Sequence, residues 1–215
     1  RERELGEARA FLGEDRERRA LVLVGEPGIG KTTVWGAVVD EARARGCTVL
    51  TASPGEAETE LAFAVLTDLF AQIDEEVLDR LPEAQRTALA QALRRRRAVG
   101  TVDPMAVALG TLGALRLVAE SGSALVAVDD LQWLDAPSAR ALSFALRRLD
   151  LAPIKLVATM RSALASPLTS TTLERIELSG LGRSQLAELV HERTGRALSP
   201  SQLTKLARLS GGNPY

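Results

Sequence analysis

Short apolar runs alternate with longer segments of helical periodicity along most of this chain. Residues 2–13 carry Leu5, Ala8 and Leu12 on one face with charges elsewhere, which predicts an amphipathic helix. A charged link over residues 14–19 separates it from ALVLV, residues 20–24, a predicted buried strand. Val34, Val38 and Ala42 then recur at helical spacing as far as Arg45, where Gly46 is placed to end the helix. CTVLTAS, residues 47–53, predicts a second strand, with Cys47 as a small core residue. A long helical stretch follows, over residues 53–121. Leu61, Val65, Leu69 and Ile73 keep one face apolar, and Leu89 and Leu93 do so in the next segment. Asp103-Pro104 has the form of an N-cap with proline in the first turn, opening a helix expected to bury Leu109, Leu112 and Leu115.

ALVAVDD, residues 124–130, is an almost wholly apolar strand ending in two carboxylates. A helix is predicted after Pro137, with Ala141, Leu142, Ala145, Leu146 and Leu149 on one side. IKLVATM, residues 154–160, is a fourth buried strand, and LERIEL, residues 173–178, a weaker fifth. Beyond Gly182 the pattern is helical again. Ser199 and Gln202 form a capping box for a helix that ends at Gly211-Gly212. Strands that read as continuous apolar runs between helices predict an α/β fold, its five-stranded, mostly parallel sheet covered on both faces. Residues 1–182 make that domain, with a helical insert at about 56–120, and residues 183–215 begin a helical lid.

Composition narrows the partners. The chain has 215 residues, 46% hydrophobic and 26% charged, enough for one sizeable core. A formal net charge of −1 gives no basic field for nucleic acid. One cysteine rules out an internal disulfide. No apolar run reaches membrane-spanning length, so a cytoplasmic location without a membrane partner is expected. The uncapped start and the stop directly after a turn signal read as a fragment of a longer protein.

Chemistry concentrates in GEPGIGKTT, residues 25–33, set between the first strand and the next helix. Strand, glycine-rich turn and helix in that order make a phosphate-binding P-loop. Gly25, Glu26, Pro27, Gly28, Ile29 and Gly30 form the turn, whose backbone N–H groups converge with the helix N-terminus on one phosphate-sized volume. Lys31 adds a positive charge, and Thr32 places a hydroxyl where Mg²⁺ would sit. In an open parallel sheet, ligands lie beyond the carboxyl ends of the strands, so Asp129 and Asp130 should end near this loop. The first carboxylate suits Mg²⁺; the second suits orienting or deprotonating water.

These motifs resemble a P-loop NTPase of the AAA+-related STAND group, and within it the ATPase module of large ATP-binding LuxR-family transcriptional regulators. The stretches that carry the likeness are RERELGEARAFL, GEPGIGKTT, LVAVDDLQWLDAPSARAL, LVATMRS and SGGNPY, in the family's order. The resemblance implies strand order 5-1-4-3-2, and ATP or ADP with Mg²⁺ as cofactors. It implies Lys31 on the phosphates with Thr33 as an auxiliary phosphate contact, Thr32 and Asp129 on Mg²⁺, and Asp130 as general base. Arg161 would be a sensor arginine; taken alone it is equally a surface arginine at a strand end. Pro214 would pack on adenine, and Arg1 would flank the base. The implied role is a switch with slow hydrolysis. Nucleotide-dependent self-association would belong to the full-length protein, and DNA would be reached only through a module outside this chain.

Three rivals stand beside that reading: a nucleotide-locked scaffold without turnover, a small-molecule kinase, and a motor-type ring ATPase using Arg147 or Arg148 across subunits. His191, Trp35 and Trp133 read as surface or packing residues, and Gln132 as a neighbour of the carboxylates without an assigned task.

Overall fold

The computed structural model describes residues 2–13, 19–94, 101–149, 152–162, 164–168 and 173–215. Helix α1 (Glu2–Phe11) precedes strand β1 (Ala20–Gly25), helix α2 (Lys31–Ala44) and strand β2 (Thr48–Ala52). Helices α3 (Ala64–Phe70), α4 (Glu75–Asp79), α5 (Glu83–Ala92) and α6 (Pro104–Glu120) lead to β3 (Ala124–Val128). Then come α7 (Ala136–Leu146), β4 (Ile154–Arg161), β5 (Glu174–Glu177), α8 (Arg183–Thr194) and α9 (Pro200–Ser210).

The five strands form one sheet in the order β2-β3-β4-β1-β5, which is the expected order read from the other edge. Among the described residues every pairing is parallel, so the sheet there is wholly rather than mostly parallel. Its side chains feed two cores. Val22, Leu50, Val126 and Leu156 face helices α3 to α7; Leu21, Leu23, Leu125 and Val157 face α1 and α2. Burial on both faces explains why the inner strands β1, β3 and β4 show no alternation of polar and apolar residues, whereas the edge strands β2 and β5 are partly exposed and mix the two.

Local signals act as expected at several ends. Gly46 takes a left-handed φ of 78°, and Cys47 N–H donates to Ala42 O at 3.0 Å, closing α2 in a Schellman turn. The Asp103 carboxylate accepts from Met105 N–H at 2.9 Å and caps α6. Ser199 and Gln202 form the reciprocal capping box of α9. A Ser199→Ala change should cost about 1 kcal/mol of local helix stability. Amide exchange would then quicken in the first turn of α9 and stay unchanged in the sheet.

Several positions depart from the expected pattern. Leu61 is half exposed and precedes α3, while Ile73 follows it, so the apolar stripe 61–73 is not one helix face. Phe63 adopts a left-handed φ of 63°, which breaks the run. The freed N–H groups are bonded from a distance: Asp135 Oδ1 accepts from Phe63 N–H at 2.9 Å and Oδ2 from Val65 N–H at 3.2 Å. The same Oδ1 accepts from Ser138 N–H at 2.9 Å and caps α7. Leu109 lies on the outer side of α6, and only Leu112 and Leu115 of the expected trio are buried. On α1, Ala8 is buried as expected and Phe11 with it, while Leu5 and Leu12 are only partly buried against the same core. Cys47 is half-buried beside Ser123 rather than in the core.

Helices α8 and α9 pack on each other and add only Leu186 to the buried set. They return the chain to the sheet's carboxyl edge at Gly211-Gly212, both of positive φ.

Candidate functional site

The glycines of the loop after β1 meet steric demands that other residues would not. A Cβ on Gly25 would sit 2.8 Å from Ile29 Cγ2, and one on Gly28 would sit 2.8 Å from Tyr215 Cβ. Gly28 and Gly30 have φ of 78° and 96°, a conformation costly for a side-chain-bearing residue. These turns double the chain back so that α2 starts at Lys31 beneath its own loop, leaving first-turn N–H groups unpaired within the helix. Such an end favours an anion. Lys31 is only 7% exposed, and its ammonium donates to Gly25 O at 3.0 Å and Glu26 O at 2.9 Å. Burial holds that ammonium below its ordinary pKa; Asp130 opposes this, Arg161 adds to it, and Asp129 and Glu26 oppose it.

Strands β3 and β4 bring the carboxylates to the same edge. Asp129 is buried, and its Oδ2 accepts from the Thr32 hydroxyl at 2.9 Å. Its Oδ1 accepts from the Thr159 hydroxyl at 2.5 Å, and Thr159 Oγ1 in turn accepts Asp130 N–H at 2.8 Å. Thr159 is wholly buried near the end of β4, between the strand carrying the loop and the strand carrying the carboxylates. Asp130 takes a left-handed φ of 53°, and its Oδ1 accepts from Gln132 Nε2 at 2.7 Å. The Arg161 guanidinium lies 5.4 Å from the Trp133 ring centroid, within cation–π range.

The chain's last residues fold onto this edge. Leu181 N–H donates to Gly212 O at 2.7 Å, and a Cβ on Gly180 would overlap Gly211 O at 2.1 Å. Asn213 Nδ2 donates to Pro27 O at 2.8 Å, which ties the tail to the glycine loop. Ser162 holds the loop from the other side, donating to Glu26 Oε1 at 2.9 Å.

Residues 27–33, Asp130, Arg161 and Pro214 thus line one cavity of about 510 Å³, with Leu5, Leu181 and Leu189 as apolar wall. Gly25, Glu26 and Asp129 join it through their bonds to Lys31 and Thr32. Arg1 lies outside the described residues, as do residues 14–18 of the charged link. The sequence places Gln132 beside the carboxylates without a task and assigns none to Thr159, Ser162 or Asn213. Thr159 carried one signal, as a polar residue inside an apolar strand.

The residues fit a hydrated Mg²⁺. Among the described residues no group of three or more His, Cys, Asp or Glu gathers in one place, which argues against a protein cage. One carboxylate and one hydroxyl at bonding distance, beside an anion cradle, match the sparse ligation Mg²⁺ prefers with phosphate and water. Among the described residues no helix is long and apolar enough to cross a membrane.

Fold and loop together define an α/β P-loop NTPase domain. Residues 1–157 match the AAA ATPase domain family, and the chain belongs to it. No curated protein matches the sequence. Among solved structures it resembles a Signal Transduction ATPase with Numerous Domains (STAND) protein with a tetratricopeptide repeat sensor from Pyrococcus horikoshii. That likeness has a TM-score of 0.54 at 19% identity and covers 100% of this chain but 28% of that protein. It also resembles the replication initiator DnaA bound to AMPPCP and single-stranded DNA, with a TM-score of 0.53 at 18% identity over 99% of this chain and 58% of that one. A RuvB variant from Thermotoga maritima gives 0.51 at 17% identity, over 100% of this chain and 58% of that one. At such identities the likeness is one of fold.

Proposed function

We propose that this chain binds ATP or ADP with Mg²⁺, hydrolyses ATP slowly, and serves as the switch module of a LuxR-family transcriptional regulator. The observation that carries the reading is the bonded chain Thr32–Asp129–Thr159–Asp130 beside a glycine cradle and Lys31. The cradle N–H groups and Lys31 would hold the phosphates. Thr32 and Asp129 would hold Mg²⁺, which when bound neutralises phosphate charge. Asp130 would accept a proton from the attacking water, and Arg161 would face the charge that develops at the terminal phosphate. Aspartate is one methylene shorter than glutamate, which favours slow turnover. Leu5, Leu181, Leu189 and Pro214 offer an apolar seat for the base, so that the tail would report the bound nucleotide through Asn213 and Pro27. The regulator role rests on the DDLQWLD and GGNPY motifs; nucleotide-dependent self-association would be a property of the full-length protein, and DNA would be reached only through a module outside this chain.

A nucleotide-locked scaffold is the rival, and phosphate release separates the two. Asp130→Asn should slow steady-state release about 10²-fold with nucleotide affinity nearly unchanged, as expected when proton transfer is lost. No release by wild type above the Lys31→Ala background would end the hydrolytic reading, whereas equal rates for wild type and Asp130→Asn would end only the assignment of Asp130 as base.

A further inference from the structure

Gln132 sits in the single helical turn, Leu131–Trp133, that follows β3. Its side-chain amide uses both ends. Nε2 donates to Asp130 Oδ1 at 2.7 Å, and Oε1 accepts from Arg161 N–H at 3.3 Å. Asp130 is thereby held twice over: its backbone by the Thr159 hydroxyl, its carboxylate by Gln132. Among the described residues no other hydrogen-bond donor is recorded on that carboxylate. Without the amide, rotation about Cα–Cβ would let the carboxylate turn to solvent. The other end of the amide is fixed to Arg161, the last residue of β4, whose guanidinium lies within cation–π range of Trp133.

We propose that Gln132 is a positioning residue for Asp130, fixing the carboxylate against the end of β4 so that one amide sets the spacing between Asp130 and Arg161. The inference rests on the reading of Asp130 as general base. Only a side chain with both a donor and an acceptor at this length satisfies the two contacts. Glutamate keeps the length and the acceptor for Arg161 N–H but turns a second carboxylate toward Asp130. Alanine keeps neither contact.

The test is a double-mutant cycle on this chain, with Gln132→Ala, Asp130→Asn and their combination, alongside the isosteric Gln132→Glu. Each protein is assayed for phosphate release, for ADP affinity, and for affinity toward ADP with aluminium fluoride as a transition-state mimic. Gln132→Ala should lower kcat about tenfold, the scale expected of a displaced catalytic group. Binding of the mimic should weaken by about the same factor while ADP affinity stays within about twofold. Gln132→Glu should lose at least as much, although it preserves packing. In the Asp130→Asn background, Gln132→Ala should change nothing further, because the positioned group is gone.

An equal loss in both backgrounds would mean that Gln132 acts through packing, and would overturn the proposal. So would undiminished kcat and mimic binding in Gln132→Ala. The reading beneath it fails separately: if Asp130→Asn matches wild type in turnover and mimic binding, the base assignment falls and takes Gln132 with it. If Asp130→Asn is impaired and Gln132→Ala is not, only the positioning inference is lost.

Discussion

Replacing Lys31 with alanine should weaken nucleotide binding roughly a hundredfold, the loss of a charge-assisted contact worth about 3 kcal/mol. The fold should survive the change. Lys31 is buried as a cation whose pKa is pulled down by that burial, so its removal relieves a desolvation cost in the free protein. Of the two carbonyls it bonds, Glu26 O belongs to an exposed residue where water can replace the ammonium, while Gly25 O is buried. Stability measured with and without nucleotide separates the two effects. At a nucleotide concentration of about 100 Kd, wild type should gain about 2.7 kcal/mol, and a variant binding a hundredfold more weakly about 0.4 kcal/mol. Unchanged nucleotide stabilisation in Lys31→Ala would dismiss the phosphate-cradle reading. A variant that unfolds without ligand would show that Lys31 is structural.

The second large effect concerns Asp135, which touches no part of the cavity. It is 1% exposed and accepts from Phe63, Val65 and Ser138 N–H groups, so one carboxylate starts both α3 and α7. Asp135→Ala leaves three donors without their acceptor and should cost about 3–5 kcal/mol. In a domain of this size that lowers Tm by roughly 10 °C. Asp135→Asn keeps Oδ1 for Phe63 and Ser138 and sets an amide against Val65 N–H, so about half the loss is expected. Urea unfolding of the three proteins measures this ranking. An alanine variant within about 1 kcal/mol of wild type would mean that water takes over the three donors.

The contrast between these residues marks what the sequence made legible. Lys31 and Thr32 announce themselves because their partners are a few residues away in a loop whose glycines are obligatory. The strands were legible because burial on both faces leaves long apolar runs, and Asp129 and Asp130 because such a run ends in them. Asp135 gave little sign: its contact with Ser138 is a local cap, but its other two partners lie some 70 positions earlier, and no local spacing encodes them. For the same reason the stripe from Leu61 to Ile73 looked like one helix, when a left-handed Phe63 held from afar divides it. Leu109 misled because α6 is apolar on more sides than it buries. Gln132, Thr159 and Asn213 each join segments far apart in sequence, so their tasks emerge only once the sheet order sets β3, β4 and β1 side by side.

That order has a consequence for which changes of length the chain can absorb. Strand β4 is paired on both sides, Val24 and Gly25 with Met160 and Arg161, Val128 with Ala158. Thr159 reaches Asp129 because of this double register, and side chains alternate faces along a strand. A one-residue deletion within residues 154–158 would turn the hydroxyl to the opposite face and offer Asp129 an apolar neighbour instead. In a library of single-residue insertions and deletions, the few positions before Thr159 should therefore be among the least forgiving, intolerant even of changes that conserve every named residue. The glycine loop can be recognised by its letters; the strand beside it is defined by its count.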